Sequence, residues 1–131
     1  MNLMQFKVRE FHRQFGVDAP SRPVMPAHEV QVLREKLIAE ELGEFIEANQ
    51  RGSIVDVADA IADILYVTFG AAVAYGIDME SIFEEVHRSN MSKIGKDGKI
   101  NKRADGKVIK PPTYSPADVK GVLKKQMEVL G

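Results

Sequence analysis

The sequence predicts an all-α protein, a helical bundle of four core helices followed by a C-terminal helix. Long segments carry apolar residues at helical spacing, and short stretches with glycine or proline separate them. A chain of 131 residues has the length of one domain, so we expect residues 1–131 to form a single helical domain. The chain has no cysteine, which excludes disulfides and thiolate metal sites.

The first two predicted helices are separated by a proline-rich connector. The first helix is expected from about Leu3 to Phe15, and Gly16 ends it. The connector VDAPSRPVMPAH contains three prolines, which do not continue a helix. The second helix is expected from about Ala27 to Gln50, and Gly52 closes it.

The third and fourth predicted helices follow with short connections. Ser53, with Asp56 three residues later, forms a capping pair that opens the third helix, which ends at Gly76. The fourth helix is expected over Met79 to about Ile94.

A long basic loop and a last helix complete the predicted chain. Residues 95–114 contain Lys-Asp-Gly and Ala-Asp-Gly turn signals, which indicate a loop with room for a small hairpin. A loop of this length inside a compact domain is usually functional. The last helix is expected to start at Ser115-Pro116, with Asp118 in its first turn.

Acidic side chains interrupt the apolar face of the second helix. On a helical wheel that starts at Val30, one broad arc holds the apolar residues Leu33, Leu37, Ile38, Leu42 and Phe45. Glu41 falls in the middle of this arc, Glu44 lies beside Leu33 and Leu37, and Glu40 lies at the edge. We therefore expect Glu41 and Glu44 to point away from solvent, with Glu40 able to lean toward the same cavity.

The third helix carries a second set of carboxylates. Apolar residues occur on every side of the segment from Ile54 to Tyr75, which predicts a helix buried all round, yet Asp56, Asp59 and Asp63 share one stripe at spacings of three and four. Buried carboxylates need a shared cation, and hard oxygen ligands suit Mg²⁺ or Mn²⁺.

The two acidic sets together predict a metal site. We predict Glu41, Glu44, Asp56 and Asp59 as its ligands. For Asp63 the sequence leaves three roles open: a further ligand, a hydrogen-bond acceptor behind the ligands, or the partner of a basic side chain.

Opposite charges are segregated along the chain. Residues 29–63 hold nine acidic side chains against three basic ones, whereas residues 93–110 hold seven basic side chains against two acidic ones. On the fourth helix Asn90 and Lys93 fall inside the apolar arc, where Lys93 either extends past the rim of the core or reaches an internal polar site. The acidic residues 29–63 and the basic residues 93–110 together suit the binding of a metal-bound polyphosphate.

Composition argues against nucleic-acid and membrane partners. The net charge of -1 gives no overall attraction to nucleic acid. The N-terminus is amphipathic, without the pattern of a signal peptide. The run AIADILYVTFGAAVAYGI is long enough to resemble a membrane span, but Asp63 lies inside it. We therefore expect a cytoplasmic protein and a core helix shared with a second subunit.

These residues resemble the all-α nucleoside triphosphate pyrophosphohydrolases, the MazG-like group that includes phosphoribosyl-ATP pyrophosphohydrolases and dimeric dUTPases. The family signature is Glu-Glu-x-x-Glu followed by Glu-x-x-Asp. The first half matches at Glu40-Glu41-Leu42-Gly43-Glu44, and the second half matches as Asp56-Val57-Ala58-Asp59. The segments EVHRSNMSK and GKVIKPPTY are similar to the phosphoribosyl-ATP pyrophosphohydrolase-like subgroup. The resemblance covers roughly residues 27–118.

The resemblance implies a role for each matching residue. Glu41, Glu44, Asp56 and Asp59 would hold Mg²⁺ or Mn²⁺, and Glu40 would be the catalytic base or an auxiliary ligand. Asn90, Lys93, Lys110 and Tyr114 would bind the substrate. Asp56 departs from the family's usual glutamate, which leaves two readings open: Asp56 binds through water, or Asp59 and Asp63 form the working pair.

The implied reaction is hydrolysis of a nucleoside triphosphate to a monophosphate and pyrophosphate, as in nucleotide-pool house-cleaning, and the expected assembly is a homodimer or larger oligomer. The alternative is a noncatalytic helical dimer that binds metal or nucleotide. A di-iron bundle is disfavoured because Glu84-x-x-His87 has no second copy. Nucleic-acid binding by the basic loop is disfavoured because only Tyr114 offers stacking nearby.

Overall fold

The structure is a computed structural model that describes residues 1–128. Its helices are α1 (Leu3–Gln14), α2 (His28–Arg51), α3 (Ile54–Ala74), α4 (Met79–Met91) and α5 (Val119–Glu128). Within residues 1–128 the only β-type pairing is one isolated antiparallel bridge. The predicted all-α fold class is therefore confirmed.

Contacts divide the described chain into two compact units, Met1–Met79 and the residues from Glu80 onward. The first unit contains α1, α2 and α3, and the second contains most of α4, the basic loop and α5. That residues 1–131 form one domain remains a prediction, and residues 129–131 lie outside the described part.

A tight turn joins α2 to α3. Gly52 ends α2 with a left-handed conformation (φ 66°), which a residue with a side chain rarely adopts, and its N–H donates to carbonyls of the last turn. Ser53 then opens α3, where its hydroxyl accepts a hydrogen bond from the N–H of Asp56 at 3.2 Å. The Ser53 half of the predicted capping pair is confirmed, whereas the carboxylate of Asp56 accepts from Arg51 and the N–H of Ser53 donates to the carbonyl of Ala48. With so short a connection, α2 and α3 form an antiparallel helical hairpin.

Helix α3 is the centre of the first unit, because it packs against both α1 and α2. Small side chains on α3 permit this close packing: Ala60, Gly70, Ala72 and Ala74 are all buried. The prediction that α3 is buried all round is wrong for the single chain. Ile54 and Val55 are 78% and 74% exposed, because nothing in the described chain covers that side of the helix.

Helix α3 also has the length and apolar composition of a membrane span. A core helix of a soluble protein passes the same test, so this feature alone is weak evidence for a membrane.

One buried glutamine connects α1 by hydrogen bonds to the chain that follows α3. Gln5 is fully buried, and its side-chain amide donates to the carbonyl of Ile77 at 2.6 Å. Its side-chain oxygen accepts from the N–H of Met79 at 2.9 Å, which satisfies the first amide of α4. Nearby, Gly76 has φ 67°, and a Cβ there would collide with the carbonyl of Arg22. The proline-rich connector is thus packed directly on the end of α3.

In the second unit, α4 ends earlier than predicted. The sequence predicts helix to about Ile94, but α4 ends at Met91. The hydroxyl of Ser92 donates to the carbonyl of Ser89 at 2.6 Å and accepts from the N–H of Ser115 at 2.8 Å. A serine side chain that bonds to the backbone in this way competes with helix continuation.

The basic loop contains the small hairpin for which the sequence has room. The bridge joins Lys102 and Val108, and the N–H of Ile109 donates to the carbonyl of Asn101 at 2.7 Å. Glu85 on α4 holds the other end of the loop, because its carboxylate accepts from Arg88 at 2.6 Å and from the N–H of Asp118 at 2.6 Å. These two hydrogen bonds, that of Arg88 first, lower the pKa of Glu85 to about 2.

The Gln5→Leu variant should lose about 2–4 kcal/mol of unfolding free energy. The substitution keeps the size of the side chain but leaves the partly buried carbonyl of Ile77 and N–H of Met79 without their partner. Urea denaturation of both proteins measures the difference. Gln14→Leu, at an exposed position of the same helix, is the control. Equal stability of the two variants would show that the Gln5 hydrogen bonds contribute nothing.

Candidate metal centre

The α2–α3 hairpin brings the predicted carboxylates to one cavity. Five of them line a space of about 280 Å³, together with Arg51 and Ala60: Glu41, Glu44, Asp56, Asp59 and Asp63. The two sets come from different helices, and the tight turn at Gly52 places the end of α2 beside the start of α3. The structure therefore brings together all four predicted metal ligands and Asp63.

Glu41 is the carboxylate that the others affect most. It is half-buried on the inner side of α2. Burial raises its pKa, and the negative charges of Asp63, Glu44, Glu40 and Asp59 raise it further. A cation in the cavity would remove this repulsion, so the electrostatics of the site favour a bound cation.

Glu44 does not have the environment that the helical wheel predicts. It is exposed on the described chain, as are Leu33 and Leu42 on the same arc. The expectation that it points away from solvent is wrong for the single chain, because α3 covers only the middle of the arc, where Glu41 and Ala48 lie. Glu44 nevertheless reaches the rim of the carboxylate cavity.

Asp56 already has a basic partner. Its carboxylate accepts a hydrogen bond from Nε of Arg51 at 3.1 Å, and the same contact is an ion pair. Both side chains are about half exposed, so the pair contributes little stability and is easily exchanged for another cation. The sequence offered Asp63 as a candidate for such a pair, and it did not single out Arg51.

The donor set fits a hard divalent cation, although its members are spread around the cavity. In residues 1–128, no group of three carboxylate or histidine side chains converges closely enough to hold a metal ion in this conformation. The cavity wall still consists mainly of carboxylates, whose oxygens suit Mg²⁺ or Mn²⁺. The ligand roles of Glu41, Glu44, Asp56 and Asp59 therefore remain predictions.

Glu40, the predicted catalytic base, lies next to the cavity rather than in its wall. It is exposed on α2, and it acts on Glu41 through its charge. Its catalytic role remains a prediction.

The predicted substrate-binding residues belong to the second unit. Asn90 is exposed near the end of α4, and Lys93 is half-buried. The helical-wheel argument for Lys93 is wrong, because α4 ends at Met91 and Lys93 lies in the turn that follows. Nζ of Lys110 lies 4.8 Å from the ring centroid of Tyr114, a cation–π contact. Their roles in substrate binding remain predictions.

Sequence reasoning missed Arg34, a buried charged residue of the first unit. Arg34 lies seven residues before Glu41, on the middle of the same arc of α2, and both Arg34 and His12 are buried. The signal was present, since the wheel that singles out Glu41 also places Arg34 among the apolar residues.

The fold and the cavity define the class, an all-α protein in which two antiparallel helices line one cavity with carboxylates. The sequence model of the phosphoribosyl-ATP pyrophosphohydrolase family matches residues 8–90, more than half of the chain, and the chain belongs to this family. The family is part of the MazG-like all-α nucleoside triphosphate pyrophosphohydrolase superfamily, which confirms the resemblance found in the sequence.

The family is described as one of phosphoribosyl-ATP pyrophosphohydrolases, hydrolases that act on a nucleotide. The family is generally dependent on divalent metals and typically soluble. The matched residues include every carboxylate of the cavity as well as Asn90, whereas Lys93, Lys110 and Tyr114 lie beyond the match.

An uncharacterized protein of Acanthamoeba polyphaga mimivirus is 30% identical over 124 residues. These residues make up 90% of this chain and 47% of that protein, so the chain spans about half the length of the curated relative it matches.

The Glu41→Gln variant should melt roughly 2–4 °C above the wild type in chelator, because it removes one of several repelling charges. Added Mg²⁺ should then stabilise the wild type more than the variant, since only the wild type offers a full carboxylate set. Thermal melts with and without Mg²⁺ measure both effects. Glu35→Gln, at an exposed position of the same helix, should behave as the wild type does. The idea fails if Mg²⁺ stabilises Glu41→Gln and the wild type equally.

Proposed function

We propose that this protein is a Mg²⁺-dependent nucleoside triphosphate pyrophosphohydrolase that converts a (d)NTP and water to a (d)NMP and pyrophosphate, in the house-cleaning of nucleotide pools. The observation that carries the proposal is the cavity between α2 and α3, lined by five carboxylates, in a chain of a pyrophosphohydrolase family. Mn²⁺ has the same ligand preference and is the alternative ion.

Glu41, Glu44, Asp56 and Asp59 would hold the metal in this proposal, and Asp63 would support them from the third turn of α3. A bound divalent ion supplies positive charge for the oxygens of the triphosphate. With Asp56 as a metal ligand, Arg51 would no longer pair with that carboxylate, and its guanidinium at the cavity wall could contact a phosphate.

Glu40 is the base in this scheme. It stands beside Glu41 and is exposed, so it can take a proton from a water molecule at the cavity mouth. The oxygen of that water forms a bond to the α or β phosphorus, and the bond from that phosphorus to the bridging oxygen breaks. The monophosphate and pyrophosphate then separate, and Glu40 carries the proton. No serine, cysteine or histidine nucleophile is needed for this reaction.

Four residues of the second unit are the proposed substrate-binding residues. Lys93 and Lys110 offer positive charge for the phosphates, Asn90 offers hydrogen bonds to phosphate or sugar, and Tyr114 offers an aromatic surface. The competing proposal is a noncatalytic helical dimer that binds metal or nucleotide. Its support is the spread of the carboxylates, no three of which converge within residues 1–128.

Release of pyrophosphate from a panel of natural and damaged nucleoside triphosphates, and from phosphoribosyl-ATP, separates these two proposals. We expect turnover with Mg²⁺ or Mn²⁺ and none in excess chelator. Glu41→Gln should be inactive while its far-UV circular dichroism is unchanged, and Glu35→Gln should be fully active. Undiminished turnover in chelator would refute metal dependence. Binding of nucleotide without turnover of any substrate would favour the noncatalytic dimer.

In the same assay, Lys93→Ala should raise KM for the triphosphate about tenfold or more, because one charge-assisted phosphate contact contributes about 1.5–3 kcal/mol. Its melting temperature should change little. Lys120→Ala, at an exposed position on α5, is the matched control. Unchanged kinetics with a large fall in melting temperature would identify Lys93 as a structural residue.

We also propose that the protein is a homo-oligomer, most simply a dimer built on α3. Large apolar side chains of α3 are exposed on the described chain, among them Ile54, Val55, Ile61 and Leu65. A two-fold pairing would cover this surface and could bring the loop of a second subunit over the carboxylate cavity. Sedimentation velocity at low micromolar concentration should show a dimer or larger species. A compact, active monomer under these conditions would exclude the proposal.

A further inference from the structure

The first unit contains a buried arginine that the proposed reaction does not use. Arg34 is only 8% exposed and lies on the inner side of α2. It precedes Glu41 by seven residues, which is two helical turns or about 10 Å along the axis. Arg34 is also not among the residues that line the carboxylate cavity.

Arg34 lacks a neutralising partner within the described part of the chain. Its Nε is buried without a hydrogen-bond partner, and none of the ion pairs found in residues 1–128 includes it. A buried charge costs several kcal/mol unless an opposite charge and hydrogen bonds compensate it. The site around the guanidinium is therefore incomplete.

The neighbouring ionisable residue His12 cannot supply that compensation. His12 on α1 is 3% exposed, and its Nδ1 lies 3.1 Å from the carbonyl of Asp18, which can only accept, so Nδ1 carries the proton. Burial lowers the pKa of His12, and the positive charge of Arg34 lowers it further. The neutral imidazole then presents the lone pair of Nε2, which is an acceptor without charge.

Gly70 on α3 provides the space for the guanidinium. A Cβ at this position would lie 2.9 Å from Nη1 of Arg34 and 3.5 Å from Nε2 of His12. The side chains of His12 on α1 and Arg34 on α2 thus meet at Gly70, where α3 has no side chain.

We propose that Arg34, with His12 and Gly70, forms an internal binding site for a phosphate-type oxyanion, separate from the carboxylate cavity. The guanidinium donates two parallel hydrogen bonds to two oxygens of the anion and neutralises its charge. Nε2 of His12 accepts a hydrogen bond from the remaining O–H of a monoprotonated phosphate. The anion is either free inorganic phosphate or the phosphate group of a nucleotide.

Binding of inorganic phosphate in excess chelator tests this site without the metal-dependent reaction. We expect calorimetry to show phosphate binding to the wild type, and thermal melts to show stabilisation relative to chloride at matched ionic strength. Arg34→Met should weaken binding at least tenfold and melt at or above the wild-type temperature without phosphate, since an apolar chain replaces an unpaired buried charge. Arg13→Met, at an exposed position on α1, should bind as the wild type does.

Two further variants keep the charge and change the geometry. Arg34→Lys should bind phosphate several-fold more weakly, because an ammonium group cannot make the paired hydrogen bonds. Gly70→Ala should also weaken binding several-fold, because its Cβ presses on Nη1. Equal phosphate binding by Arg34→Met, Arg13→Met and the wild type would overturn the proposal. A large loss of stability in Arg34→Met, with no phosphate binding to the wild type, would also overturn it and would assign Arg34 to a carboxylate of a second copy of the chain.

A nucleoside monophosphate in the same titration separates the two sources of the anion. Tighter binding than inorganic phosphate, lost in Arg34→Met, would identify the nucleotide as the ligand, and equal binding would identify the free anion. Because these titrations need no metal and no turnover, an inactive protein that binds phosphate at Arg34 would refute the proposed reaction and leave this site intact.

Discussion

The turn between α2 and α3 is the constraint on which the candidate site depends. Gly52 adopts a left-handed conformation, and Ser53 caps the next helix at once, so the two helices run antiparallel from a fixed starting point. The register then pairs the residues of one helix with those of the other along the whole interface. Arg34 meets Gly70 at one level, and Glu41 faces the charge of Asp63 at another. A longer or more flexible connection would lose this pairing, because a helix that slips by one residue rotates by about 100°.

The interface between α2 and α3 contains opposite charges at different positions along the helix axis. Two turns separate Arg34 from Glu41, and at about 10 Å with an effective dielectric constant of 20 their attraction is about 1.7 kcal/mol at most. That attraction does not decide the state of Glu41, since burial and the neighbouring carboxylates raise its pKa. The arginine therefore does not substitute for a metal ion in the carboxylate cavity. A cation beside Glu41 and an anion beside Arg34 are therefore separate proposals.

Local sequence signals were sufficient for the helices but not for every helix end. The glycines and the Ser53 cap place the ends of α1, α2 and α3 to within a residue or two, because those ends are set by nearby backbone conformation. The end of α4 depends on Ser92, whose hydroxyl accepts from Ser115 far along the chain. A helical wheel cannot include such a contact. It therefore extends α4 too far and assigns Lys93 to a helix face, although Lys93 lies beyond the end of the helix.

For the candidate site, periodicity identified which residues share a face and could not say what covers that face. It placed Glu41 on the inner side of α2 and Asp56 on the stripe that faces the same cavity. It gave the same interpretation to Glu44 and to Ile54, which are exposed on the single chain. An apolar helix face that its own chain leaves exposed has the same composition as a face that is buried in a core. The hydrophobic effect makes no distinction between covering by the same chain and covering by another. A second copy of this chain is the cover that we propose for the exposed apolar face of α3.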